Sequence, residues 1–178
     1  MRIVLIGYRG SGKTSVGRRL AARLALAFVD ADEELVRRAG RDIREIFEQS
    51  GEAAFRDLES VVLVDLLNRQ DTVISLGGGV VLRPANLDAL LASDAHRVYL
   101  RCDAETLHAR IHSDPATAAN RPALTHLGGG IEEVRTLLAR REPLYRAAAT
   151  YELDVTSLCV DEVVTRLEQL VLAADEHG

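Results

Sequence analysis

Tryptophan is absent from this 178-residue chain, and aromatic residues make up only 4% of it. With so few rings there is no platform on which bases could stack, which argues against single-stranded nucleic acid as a ligand. An excess of positive charge is lacking too: the formal net charge is -5, which argues against a general affinity for nucleic acid. No apolar run is long enough to span a bilayer as a helix. Cysteine is limited to Cys102 and Cys159, which make no disulfide framework. Cys159 sits between Leu158 and Val160, and both cysteines are expected to be small buried side chains. The first motif begins at Gly7, so no signal peptide is expected ahead of it. The expectation is a single cytoplasmic domain over residues 1–178, with 47% hydrophobic and 28% charged residues.

What the chain does have starts at its seventh residue. Gly7-Tyr8-Arg9-Gly10-Ser11-Gly12-Lys13-Thr14 fits the P-loop pattern and follows the apolar run Ile3-Val4-Leu5-Ile6. Glycines let the backbone wrap closely around a polyphosphate with its N–H groups pointing inward. A helix starting near Lys13 adds its positive N-terminal end. Lys13 can reach the β- and γ-phosphates, and the Thr14 hydroxyl can coordinate Mg²⁺. Gly10, Ser11, Gly12, Lys13, Thr14 and the adjoining Ser15 are therefore the expected nucleotide-binding set, with ATP as co-substrate and Mg²⁺ as cofactor. The loop by itself does not say what receives the phosphate.

Apolar, β-branched runs alternate with amphipathic stretches along the chain. The pattern predicts strands at Arg2–Ile6, Ala27–Val29, Thr72–Leu76, His96–Leu100 and, more weakly, Tyr151–Val155. Helices are predicted at Lys13–Leu24, from about Asp32 to a stop at Gly40, from an Asp42 cap, and over Glu52–Asn68. Others follow at Pro84–Leu91, Ala104–His112, Ile131–Ala148 and Asp161–Ala173. This alternation implies an α/β fold, a three-layer sandwich around a central five-stranded parallel sheet, with ligands beyond the carboxyl ends of the strands. The stretch from about 112 to 130 breaks the pattern with Ser, Asp, Pro, Asn and Gly. It reads as a mobile lid, with Gly128-Gly129-Gly130 as a hinge.

Three constellations accompany the loop. The second strand runs out through Asp30-Ala31-Asp32. On an extended segment both carboxylates face the same cleft, so Asp30 could hold the metal beside Thr14 and Asp32 could accept a proton from a hydroxyl. Capping of the following helix, by Asp32 above all, explains the pair equally well. The third strand leads into Gly77-Gly78-Gly79, which admits a ligand close to the main chain. It carries no acidic residue, which strengthens the case for Asp30 as the metal's carboxylate. Arg56 and Arg141 are guanidinium groups able to grip a carboxylate or phosphate in two-pronged fashion, and Glu59 could orient Arg56.

Together, Asp30-x-Asp32, Phe55-Arg56, Gly77-Gly78-Gly79, Arg121-Pro122 and Arg141-x-Pro143-Leu144-Tyr145, behind the P-loop, closely resemble the shikimate kinases. These are nucleoside-monophosphate-kinase-like P-loop enzymes, and the resemblance covers nearly the whole chain. It implies transfer of the ATP γ-phosphate to the 3-hydroxyl of shikimate, in aromatic amino-acid biosynthesis. It also implies roles. Asp32 contacts the acceptor hydroxyls, Arg56 and Arg141 hold its carboxylate, and Gly77–Gly79 line the same pocket, within a substrate-binding region of about 30–60. Arg121 on the lid reaches the transferring phosphates, and Arg110 packs against the adenine. The catalytic set is then Lys13, Asp32 and Arg121, and the family expectation is a monomer. The lid departs from the pattern at Ala123, and no arginine after Asp154 supplies a second adenine contact. Two other readings stay open: a gluconate or nucleoside monophosphate kinase on the same scaffold, and a non-catalytic nucleotide-binding module. His108 and His112, four apart on a helix, lack the further ligands of a zinc site, and Arg135, Arg140 and Arg146 read as surface charges.

Overall fold

The structure, a computed structural model, describes residues 1–113 and 130–175. Its centre is β1 (Arg2–Ile6), whose four apolar side chains Ile3, Val4, Leu5 and Ile6 are all buried. A strand covered on both faces needs such an unbroken apolar run. β1 pairs in parallel with β3 (Thr72–Ser75) on one side and β4 (His96–Arg101) on the other. β2 (Ala27–Asp30) and β5 (Tyr151–Asp154) complete a five-stranded parallel sheet of order β2-β3-β1-β4-β5. The chain leaves β1 toward the β2 edge and leaves β3 toward β4 on the other side, so the crevice where parallel sheets hold their ligands opens at the carboxyl ends of β1 and β3.

Helices cover both faces. α1 (Lys13–Leu24) packs against the sheet and against the C-terminal α7 (Val160–Asp175). α2 (Ala31–Ala39) lies on α3 (Ile43–Leu67), and α3 packs against α4 (Pro84–Ala92). α5 (Ala104–Ser113) packs against α6 (Ile131–Ala148). A short 3-10 turn, Val80–Leu82, joins the glycine run to α4. The architecture is the expected one.

Details differ from the sequence pattern in ways with physical reasons. The two helices expected after Asp42 and from Glu52 form one element, α3, broken at Gly51, whose backbone is non-helical (φ 79°, ψ 172°). Asp42 caps it with the reciprocal bonds of a capping box to Glu45. The end of β2 also differs. The chain turns helical at Ala31, so Asp32 lies in the first turn of α2 and not on an extended segment. The cap is Asp30, whose Oδ1 accepts from the N–H groups of Asp32 (3.0 Å) and Glu33 (3.4 Å). The capping role thus belongs to Asp30 and not to Asp32. Cys102 is buried as expected, but Cys159 is exposed, in the loop just ahead of α7.

Candidate active site

A cleft of about 560 Å³ opens at the carboxyl end of the sheet. Gly10, Gly12, Lys13, Thr14 and Ser15 line one part of it, and Asp30, Asp32, Gly77, Gly78 and Arg110 other parts. The phosphate loop holds its shape through backbone conformations. Gly12, the N-cap of α1, adopts φ 92°, a left-handed geometry that a side chain would strain. The cap then leaves the first N–H groups of α1 without helical partners, aimed at the cleft. Lys13 is buried, and its Nζ donates to the carbonyls of Gly7 (2.9 Å) and Tyr8 (2.8 Å) and, at 3.5 Å, to Ser11 Oγ. The ammonium is therefore stored against the loop that would hold the phosphates.

Thr14 and Asp30 meet as the sequence suggested. Thr14 Oγ1 donates to Asp30 Oδ2 at 2.7 Å. Because the hydroxyl proton goes to Asp30, the Thr14 oxygen keeps lone pairs for a hard cation. No group of three or more His, Cys, Asp or Glu side chains among the described residues forms a metal cage. One hydroxyl beside one carboxylate fits Mg²⁺, which keeps waters and shares phosphate oxygens. His108 and His112 make no such site either: His112 Nδ1 lies 2.9 Å from the His108 carbonyl.

Across the cleft, the glycine run serves through missing side chains. A Cβ on Gly79 would lie 2.6 Å from the Arg56 guanidinium, and one on Gly77 would lie 3.0 Å from Asp32 Oδ1 and 3.2 Å from Glu59 Oε1. Arg56, on α3 after the Gly51 break, donates to Glu59 at 2.8 Å and to Glu52 at 3.4 Å. Glu59 is buried, and its burial raises the carboxyl pKa against the opposing pull of Arg56. Arg141, on α6, is buried, donates to the Gly78 carbonyl at 3.4 Å, and lies 5.5 Å over the Tyr8 ring. Tyr145, one helical turn on, donates its hydroxyl to the same carbonyl at 2.5 Å. Asp32, Arg56 and Arg141, from three different helices, thus converge on one glycine run.

Arg110, on α5, lines the cleft and donates to the Val155 carbonyl at 3.3 Å, with Cys102 Sγ 3.8 Å away. Arg121 and segment 114–129, which carry the expected lid, lie outside the described residues, as do Gly128 and Gly129; Gly130 is the N-cap of α6. Arg135 pairs with Glu105 and Glu132, and Arg146 with Glu142 and Glu152, all exposed or half-buried.

Two contributions went unread in the sequence. Tyr8 occupies a variable position of the P-loop pattern, so nothing in the motif marks it as the surface beneath Arg141. Glu34 gathers Arg37, Arg38 and Arg69, tying α2 to the end of α3. The spacing of Glu34 to Arg37 and Arg38 was a legible helical signal, whereas its contact with Arg69 was not.

A nucleotide-phosphate loop, a Thr14–Asp30 hydroxyl–carboxylate pair beside it and an arginine-flanked glycine run on a parallel five-stranded sheet define an ATP-dependent phosphotransferase of the nucleoside-monophosphate-kinase-like P-loop fold. The chain belongs to the shikimate kinase family, whose sequence pattern matches residues 9–171. It is 39% identical over 165 residues to the shikimate kinase of Rhodopirellula baltica, covering 93% of this chain and 87% of that one. It is 38% identical over 175 residues to the shikimate kinase of Acinetobacter baylyi, covering 98% and 94%. Its fold is similar to that of the Acinetobacter baumannii shikimate kinase solved in complex with shikimate, with a TM-score of 0.89 at 35% identity over 97% of this chain and 93% of that one.

Proposed function

We propose that this chain transfers the γ-phosphoryl group of ATP to the 3-hydroxyl of shikimate, giving ADP and shikimate 3-phosphate. The observation that carries this reading is the convergence of Asp32, Arg56 and Arg141 on Gly77–Gly79 beside the phosphate loop, in a member of the shikimate kinase family. Two guanidinium groups suit a carboxylate, and the glycine run suits a compact acceptor.

The acceptor oxygen attacks the γ-phosphorus, and the bond from that phosphorus to the β,γ-bridging oxygen breaks, with ADP leaving. Asp32 orients the hydroxyl and takes up its proton. Because the transition state is loose, positioning and charge neutralisation supply most of the acceleration. Lys13 turns from its carbonyl partners to the β- and γ-phosphate oxygens. Arg56 and Arg141 fix the acceptor carboxylate so that the hydroxyl lies in line with the phosphorus. Thr14 and Asp30 would hold Mg²⁺. Both Asp30 oxygens already accept hydrogen bonds, which suits a contact through water. Bound there, Mg²⁺ would neutralise charge on the phosphate oxygens. Arg110 packs on the adenine, and Arg121 neutralises the transferring group. The reading includes a monomer at work in the cytoplasm. No helix among the described residues is long and apolar enough to cross a membrane.

The test is ADP release measured with shikimate, gluconate and nucleoside monophosphates in turn. Turnover confined to shikimate is expected. Turnover only with a nucleotide acceptor would overturn the reading, and ATP binding without transfer to any acceptor would reduce the protein to a binding module.

A further inference from the structure

One cation of the cleft has no part in the roles assigned so far. Arg9, the third residue of the phosphate loop, lines the cleft together with Lys13, Asp32, Gly77 and Gly78. Its Nε is sealed from solvent and has no hydrogen-bond partner. No carboxylate among the described residues forms an ion pair with it. Among the described residues, the other arginines in and around the cleft are engaged: Arg56 with Glu59 and Glu52, Arg141 with the Gly78 carbonyl, Arg110 with the Val155 carbonyl. Buried donors without acceptors are rare in native proteins, because each has given up its water for nothing. Arg9 as a whole is half-buried, and its Nε, kept in that condition at the mouth of a binding cleft, is a donor awaiting its acceptor.

Position narrows what that acceptor is. The Arg9 backbone nitrogen lies 3.4 Å from where a Cβ on Gly78 would stand, so this part of the loop abuts the glycine run and not the adenine end. Tyr8, whose ring carries the Arg141 guanidinium at 5.5 Å, also feels the charge of Arg9. The backbone of Arg9 thus lies against the glycine run, next to the Tyr8 ring that carries Arg141.

We propose that Arg9 is a third anion-binding group of the acceptor site, donating to the acceptor's carboxylate alongside Arg141 and sharpening the preference for an acidic acceptor. This rests on the reading of the cleft as a shikimate kinase site. A planar carboxylate accepts several guanidinium N–H groups at once, so three arginines can share it without displacing one another. A charged group in that place also selects by default, since an uncharged acceptor would leave the sealed Nε of Arg9 unmatched.

The experiment is steady-state kinetics of Arg9→Met and Arg9→Lys with shikimate and with its methyl ester, varying ATP separately. Arg9→Met is expected to raise the KM for shikimate about 10-fold to 100-fold, the size of a lost hydrogen bond to a charged group. The KM for ATP should stay unchanged and kcat should move by less than about threefold, as for an interaction made equally in ground and transition states. The preference for the free acid over the ester should shrink, and Arg9→Lys should restore part of it. A fall in kcat with the shikimate KM unchanged would give Arg9 to the transferring phosphoryl group and overturn the proposal. So would a rise in the ATP KM alone, or no change at all. Should Arg9→Met lose its fold by circular dichroism, Arg9→Gln takes its place with the same criteria. The unaltered protein is run beside the variants: its own failure to phosphorylate shikimate would sink the function itself, whereas a flat Arg9 series on an active parent sinks only the role of Arg9.

Discussion

The two halves of the cleft are built in opposite ways. The phosphate side comes from eight consecutive residues, Gly7–Thr14, fixed by backbone geometry and seated at the end of a fully buried strand. The proposed acceptor side is assembled from Asp32, Arg56, Gly77–Gly79 and Arg141, with the charged groups delivered by α2, α3 and α6. A site of the first kind carries its shape in its own sequence. A site of the second kind depends on how helices are held together, so its precision rests on ion pairs such as Glu34 with Arg37, Arg38 and Arg69. In the proposed reading the donor, common to many enzymes, meets the half made from one continuous loop. The acceptor, which distinguishes one enzyme from another, meets the half that can be altered one helix at a time.

Substitutions should separate the halves. The largest effect is expected on the phosphate side. Lys13→Ala should lower kcat by at least about a thousandfold, the upper range for removing one preorganised electrostatic group, with the circular dichroism spectrum retained. Near-normal turnover would contradict the assignment of the loop. Asp32→Asn comes next, with a fall of about a hundredfold in kcat, since proton acceptance and orientation by a positioned carboxylate are worth about 10²–10⁴. A change confined to the ATP KM would instead tie Asp32 to the nucleotide. Arg141→Ala should raise the acceptor KM by about 10-fold to 100-fold while leaving the ATP KM alone, because the lost contact exists before and during transfer. An unchanged acceptor KM would show that Arg141 serves only to hold Gly78.

The smallest effect tests what holds the assembled half together. Hydrogen bonding from Arg37, ahead of that from Arg38, lowers the Glu34 pKa from 4.5 to about 2 against the cost of burial. A folded-state pKa below the unfolded one means stability that is present in full above about 4.5 and lost as pH falls toward about 2. Glu34→Gln should therefore cost about 1 kcal/mol at neutral pH, a modest value because its partners are partly exposed, or about 2–4 °C in Tm. The deficit should close as pH drops through that window in thermal melts. A gap between the two melting curves that stays constant from pH 7 to pH 2 would rule out the ion pairs as its origin.

The same contrast explains what the sequence disclosed. The phosphate loop, the parallel sheet and most element boundaries were legible because they follow from local pattern: apolar runs, caps and glycine positions. Thr14 and Asp30 were paired correctly, but the geometry of Asp32 was not. An alternating-side argument holds only while the chain stays extended, and the carboxylate of Asp30 starts the helix two residues earlier. Cys159 misled because apolar neighbours in sequence need not be neighbours in space. Arg56 and Arg141 could not be raised above surface arginines by periodicity, since what distinguishes them is contact with Gly79 and Gly78, residues far away in the chain. Arg9 carried no signal at all, for its peculiarity is an absent partner, which only coordinates reveal.

The buried ammonium of the phosphate loop has a further consequence. Lys13 is the single lysine among the 22 lysine and arginine residues of the sequence; every other is arginine. An acylating reagent that spares guanidinium groups therefore has one ε-amine to find, and that amine is held by the carbonyls of Gly7 and Tyr8. Mass added at the side chain of residue 13 becomes a direct clock of how often the loop releases its charge. Reaction at that atom, followed with and without nucleotide, reads the loop without any engineered label.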